Sequence, residues 1–205
     1  MKPKSQHIVA ALTAAILAVA AQSQTAAAAD EPTAAPAGTG AAPTLRKIAS
    51  SPDAERNIEN FIAFQAEGVK GSMPNIKKYM AEEFLAQSSG SDSLLRLLGK
   101  DVVAGRVVKR DLMEKSVGKA LSGIEGQKRI MEEIYGVGDE VIARWRITGV
   151  AHGPVFGLEG KGQPIDVTEI AFVRFDKEGR MVEGAFRQDS AELMRQLGYK
   201  IEAPQ

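Results

Sequence analysis

A hairpin signal near the end of the chain does most to limit the fold. Phe172, Arg174 and Asp176 alternate with Val173 and Phe175, the period-two pattern of a half-buried strand. Asp176-Lys177-Glu178-Gly179 follows as turn chemistry, with Gly179 free to take positive φ. Arg180 to Arg187 returns as a second strand, and a closing helix begins after Asp189. An acidic residue at such a junction has a fixed position and a choice of protonation state. Asp189 is therefore a candidate general acid or base. Asp189-Ser190-Ala191-Glu192 also reads as a capping box, and a cap role does not exclude a role in a pocket. Arg187 shares strand parity with Asp189 and could pair with it, or could form a surface ion pair at the strand end.

Upstream, the chain reads as helices first and strands second. Ser51-Pro52-Asp53 has the cap, the first-turn proline and the acidic residue of a helix start. Ile58, Phe61, Ile62, Gln65 and Val69 follow on one face. Gln65 on that apolar stripe is a candidate pocket amide or a satisfied core amide. Further helices are expected over 73–84, from Ser91 or Asp92 to Leu98, and over 107–121. Four strands are then expected over 129–135, 141–150, 164–175 and 180–187. IMEEIY in the first of these reads almost as well as helix. This order points to an α+β fold with an antiparallel sheet.

Residues 1–29 read as a secretory signal peptide: Lys2 and Lys4, an uncharged apolar run from Ile8 to Ala21, then Ala27-Ala28-Ala29. The alternative is a membrane anchor, for which the run is short. Residues 30–44, rich in Ala, Pro and Gly, are expected to be a disordered linker, and residues 45–205 to be one domain. Periplasmic or secreted localisation in a bacterium follows. Without the leader the chain carries 24 basic residues against 26 acidic ones, which implies neither nucleic acid nor an anionic membrane as partner. The absence of cysteine excludes a disulfide framework and a thiolate nucleophile. His152 is the lone histidine outside the leader, so no metal site and no cofactor are expected.

Several spaced motifs carry a resemblance. Gly138-Asp139-Glu140-Val141 with Ala143-Arg144-Trp145 resembles the strand start of SnoaL-like polyketide cyclases. Gly149, Gly153, Phe156-Gly157-Leu158 and Gly162 are similar to that family's spaced-glycine loop. Asp176 to Glu183 resembles its hairpin turn, and Asp189 with Gln196-Leu197-Gly198 its closing helix. The resemblance implies a nuclear transport factor two-like fold, in which a curved antiparallel sheet and N-terminal helices form a cone with an internal pocket. It also implies an aspartate at position 189 acting as acid or base in an aldol closure, and a homodimer through the outer sheet face. The chain departs from the family pattern at Gln87, at Val150-Ala151 before His152, at Gly160-Lys161 and at Ala185.

Taken together, Asp189 is the candidate catalytic residue. Phe61, Gln65, Gln87, Trp145, His152, Phe172, Ala185 and Arg187 are the candidate ligand-binding set. Strand alternation, with the family's facing, puts Met181, Glu183, Ala185, Arg187 and Asp189 toward the pocket. Trp145, Phe172 and Phe186 on strands read as core first and pocket lining second, and His152 reads as a loop residue beside Gly153 before a catalyst. Three functions fit: a cyclase or isomerase working by proton transfer on a small apolar carbonyl compound, a non-catalytic binder of such a ligand, and a dimeric interaction domain.

Overall fold

The structure, a computed structural model, describes residues 44–69, 74–97, 99, 101–113 and 122–200. The expected leader and all but the last residue of the expected linker lie outside them.

The elements in order are β1 (Arg46–Ala49), α1 (Pro52–Val69), α2 (Ile76–Tyr79), β2 (Met80–Ser88), α3 (Asp92–Leu97), β3 (Arg106–Lys109), β4 (Ile124–Val137), β5 (Glu140–Ala151), a small hairpin β6 (Pro154–Val155) and β7 (Leu158–Glu159), β8 (Gln163–Phe175), β9 (Met181–Gln188) and α4 (Ser190–Gln196). Seven strands form one curved, open sheet in the order β1-β4-β5-β8-β9-β2-β3. Its centre is antiparallel as expected, but β1 joins β4 and β2 joins β9 in parallel. Crossovers through α1 and through the whole β3–β8 meander make those two parallel pairings feasible.

α1 starts as the sequence predicts. Ser51 Oγ accepts from the Ala54 amide, Pro52 is the first helical residue, and Asp53 forms an ion pair with Arg56 one turn on. Its apolar stripe, Ile58, Phe61 and Phe64, lies against β4 and β5. Phe61 meets Trp145 of β5 edge-on, with ring centroids 5.8 Å apart. Each such buried side chain contributes roughly 1.5–3 kcal/mol. One face of the sheet is thereby covered by α1. The other face carries Arg144 and Arg146 paired with Glu132, and Arg174 paired with Glu183.

Two helix expectations are corrected. The helix over 73–84 is only Ile76–Tyr79, because the chain turns extended at Met80. Phe84, Ala86 and Ser88 then alternate inward between β9 and β3. The helix over 107–121 does not begin at Val107: Val107 and Val108 are β-branched and pair with Leu85 and Phe84. Residues 110–113 are helical and 114–121 lie outside the described residues. Residues 129–135 are strand, as read, within a longer β4. Bulges after Glu125 and at Glu132 break its alternation, which explains why the period there looked ambiguous.

Candidate active site

A cavity of about 470 Å³ opens between α1 and the inner face of the sheet. α1 contributes Phe64 and Gln65, and β2 contributes Met80, Phe84 and Ala86. Arg129, Trp145, Glu169 and Phe186 line it from β4, β5, β8 and β9. The volume falls in the range of pockets that enclose small organic ligands, and the lining is mostly apolar. Phe156 closes part of it from the β6–β7 turn. Its φ of 50°, followed by Gly157 at 87°, gives the two successive positive angles of a type I′ hairpin. A phenylalanine in that region carries backbone strain of order 1 kcal/mol, offset by packing of the ring on the core.

Glu169 is the singular residue of this cavity. β8 runs Ile165, Val167, Glu169, Ala171, Val173, Phe175 along its buried face, so a carboxyl occupies a core position. It is 8% exposed. Burial pushes its pKa up to about 7, against a usual 4.5. Arg129 lowers it in part, through charge rather than through a hydrogen bond. The Trp145 indole N–H lowers it too, though its geometry falls short of a hydrogen bond. A carboxyl that ionises near neutrality can take or give a proton with little driving force either way, as general acid–base work requires.

Register explains the grouping. Trp145, Glu169 and Gln188 are direct cross-strand neighbours on β5, β8 and β9. Gly90 closes over this row: a Cβ there would lie 2.6 Å from Glu169 Oε1 and 3.3 Å from Gln188 Oε1. Gly90→Ala should therefore displace the carboxyl and cost about 1–3 kcal/mol of stability. Chemical denaturation checks this, and an unchanged midpoint would mean that Glu169 shifts freely. Arg129 is held from α1. Its Nη1 donates to Gln65 Oε1, and the guanidinium lies against Gly68, where a Cβ would be 3.0 Å from Nη1. Mostly buried, Arg129 has its own pKa lowered by desolvation, with Glu169 acting against the shift.

The sequence-derived candidates divide. Gln65 and Trp145 line the cavity, while Phe61 lies behind Trp145 in the core. Gln87, Phe172 and Ala185 sit instead on the outer sheet face, around a shallow groove of about 150 Å³. There Gln87 Nε2 donates to Glu183 Oε1 at 2.7 Å, and Phe172 is 51% exposed. His152 is exposed and its Nε2 lies 3.1 Å from Glu125 Oε2. Arg187 is exposed and donates to the Phe186 carbonyl at 3.2 Å, so no pair with Asp189 forms.

The expected facing of β9 is thus corrected. Arg174 pairs with Glu183 but Phe175 pairs with Met181, which leaves Val182 as an extra residue. That bulge keeps Met181 inward and turns Glu183, Ala185 and Arg187 outward, while Phe186 faces the cavity. Asp189 is exposed at the start of α4, where its Oδ1 accepts from the Glu192 amide at 3.0 Å. Only half of the capping box forms, because the Glu192 carboxylate turns to Arg195 and Gln196. Arg195 first, and Gln196 with it, hold that carboxylate down at about 2. Asp189→Ala should cost about 1 kcal/mol and Asp189→Asn only a few tenths, read by thermal melting.

Glu169 and Arg129 were absent from the sequence-derived set. The signal for Glu169 was present: it is the one charged residue at inward parity in an otherwise apolar strand. Arg129 gave no such signal, because the bulges in β4 scramble parity. Among the described residues there is no cluster of three metal-ligating side chains, and no described helix is long and apolar enough to cross a membrane.

The family model for the SnoaL-like polyketide cyclases matches residues 63–197, well over half of the chain. The chain belongs to that family. Its fold is nuclear transport factor two-like. A candidate SnoaL-like polyketide cyclase from Jannaschia sp. CCS1 superposes with a TM-score of 0.58 at 18% identity, covering 74% of this chain and 97% of the other. A candidate polyketide cyclase from Acidithiobacillus ferrooxidans gives 0.59 at 19% identity, covering 73% and 96%. IdmH of Streptomyces antibioticus, likewise a candidate polyketide cyclase, gives 0.56 at 17% identity, covering 69% and 98%. At such identities the likeness concerns the fold. No functionally curated protein matches the sequence.

Proposed function

We propose that this SnoaL-like protein binds a small apolar carbonyl compound in the cavity and moves a proton at the carbon next to the carbonyl, with Glu169 as acid or base. Aldol-type cyclisation and isomerisation are the reactions such a transfer serves. The observation that carries the reading is a carboxyl buried in a mostly apolar cavity of about 470 Å³, where desolvation pushes its pKa up to about 7. Asp189 keeps its cap role in this account, and its sequence-derived role as proton donor or acceptor passes to Glu169.

The test needs no knowledge of the natural substrate. 2-Acetonaphthone, an apolar ketone with exchangeable methyl protons, is incubated with the protein in deuterated buffer. Binding by calorimetry and methyl exchange by NMR support an enzyme. Binding without exchange supports the non-catalytic binder, and no binding removes the cavity reading.

The outer sheet face bears on assembly. Ile142 and Phe172 are exposed there between the arginine–carboxylate pairs. A second copy laid on this face would bury both and extend the charge ladder, so we propose a homodimer. Light scattering should give twice the monomer mass at micromolar concentration; a monomer would refute it. Export, with cleavage near Asp30, remains part of the proposal, and N-terminal sequencing of the protein from a periplasmic fraction decides it.

A further inference from the structure

The cavity holds one feature that proton transfer at Glu169 leaves unused. Arg129 and Trp145 both line it, and Arg129 Nε and Trp145 Nε1 are buried without a hydrogen-bond partner. Buried donors of this kind are costly to leave unpaired. Arg129 cannot discard its charge, and Gln65 and Gly68 fix its place. Glu169, beside Trp145 on the next strand, meets Arg129 only through charge and not through a hydrogen bond.

We propose that Arg129 and Trp145 form an anion site in the cavity, and that the protein binds an apolar monocarboxylic acid there with uptake of one proton by Glu169. This rests on the cavity reading above but is separable from it. Two anions and one guanidinium in a largely apolar chamber would leave net negative charge buried. Protonating Glu169 leaves one anion on one cation, a neutral complex. The other charged groups at the cavity already satisfy each other. Asp92 is held by the Ser89 amide at 2.7 Å and faces Arg106 at 3.6 Å. The remaining polar side chains nearby are neutral: the amides of Gln65 from α1 and Gln188 from β9, and the hydroxyls of Ser88, Ser89 and Ser91. Glu169 is therefore the group that changes charge when the acid enters.

The experiment compares 2-naphthoate with 2-acetonaphthone, which share a ring system and differ in charge. Calorimetry at pH 6 to 9, in buffers of different ionisation enthalpy, gives affinity and proton uptake. Naphthoate is expected to bind at least tenfold more tightly than the ketone at pH 6. Above pH 7 its affinity should fall about tenfold per pH unit, because one proton must be taken up from an ever more dilute supply. Ketone affinity should stay flat. Glu169→Gln should abolish the pH dependence and keep naphthoate binding. Arg129→Met should lose the naphthoate advantage, so that the ratio of naphthoate to ketone affinity falls to about one. If Arg129→Met does not fold, Trp145→Phe, which removes the indole N–H, should reduce the ratio of naphthoate to ketone affinity, measured on the same protein. Equal affinities, a flat naphthoate profile, or an undiminished advantage in the folded variants would overturn the proposal while leaving the cavity reading intact. Failure of both probes to bind would overturn both.

Discussion

Glu169→Gln is expected to lower methyl-proton exchange of a bound ketone by roughly 10²–10⁴-fold while leaving its affinity nearly unchanged. Glutamine has the shape of the protonated carboxyl but cannot exchange the proton. The same variant should change how stability depends on pH. In the native protein Glu169 holds its proton up to about pH 7; in the unfolded chain it releases it near 4.5. Between those values the folded state binds more protons, so wild-type stability falls as pH rises from about 4.5 to 7. A rise of that size corresponds to about 3 kcal/mol. Glu169→Gln should remove this slope, so that the variant matches wild type near pH 5 and exceeds it at pH 8. The carboxylates held low, such as Glu192 at about 2, act in the opposite direction and below this window. Thermal melting of both proteins across pH 5 to 8 is the measurement. Parallel curves would mean that Glu169 titrates as an ordinary carboxyl, and the acid–base reading would fall with it.

Trp145→Ala is expected to have the largest effect on stability, about 3–5 kcal/mol. Trp145 is 1% exposed, supports Phe61 of α1 edge-on and forms one wall of the cavity. Its removal deletes the largest side chain between helix and sheet, and the space merges with the cavity instead of collapsing. For a domain of this size the melting temperature should drop by roughly 10 °C. Val137→Ala offers a control, since Val137 is exposed at the β4–β5 turn and should change stability by less than about 0.5 kcal/mol. A Trp145→Ala protein that melts within a degree or two of wild type would mean that α1 is held mainly elsewhere.

Sequence alone determined the parts of this protein that depend on neighbours along the chain. Ser51 and Pro52 set the start of α1, Asp176 to Gly179 set the β8–β9 turn, and the alternation of β5 and β8 set two central strands. The spaced motifs from Gly138 to Gly198 pointed to the family, which the family match then showed. These signals are local, so the sequence displays them directly. Tertiary structure decided the rest. Met80–Ser88 and Val107–Lys109 are strands because each found a strand partner far away in sequence, which overrode a helical pattern. The bulge at Val182 reversed the facing of half of β9, and so moved Ala185 and Arg187 out and Phe186 in. One inserted residue has that effect because strand side chains repeat every two residues, and no pattern of residue types marks where the insertion falls. The chemistry of Glu169 was decided in the same way. A carboxyl titrates near neutrality only when something covers it. Here the cover comes from Gly90 and the surrounding cavity wall, and the charge of Arg129 comes from another strand.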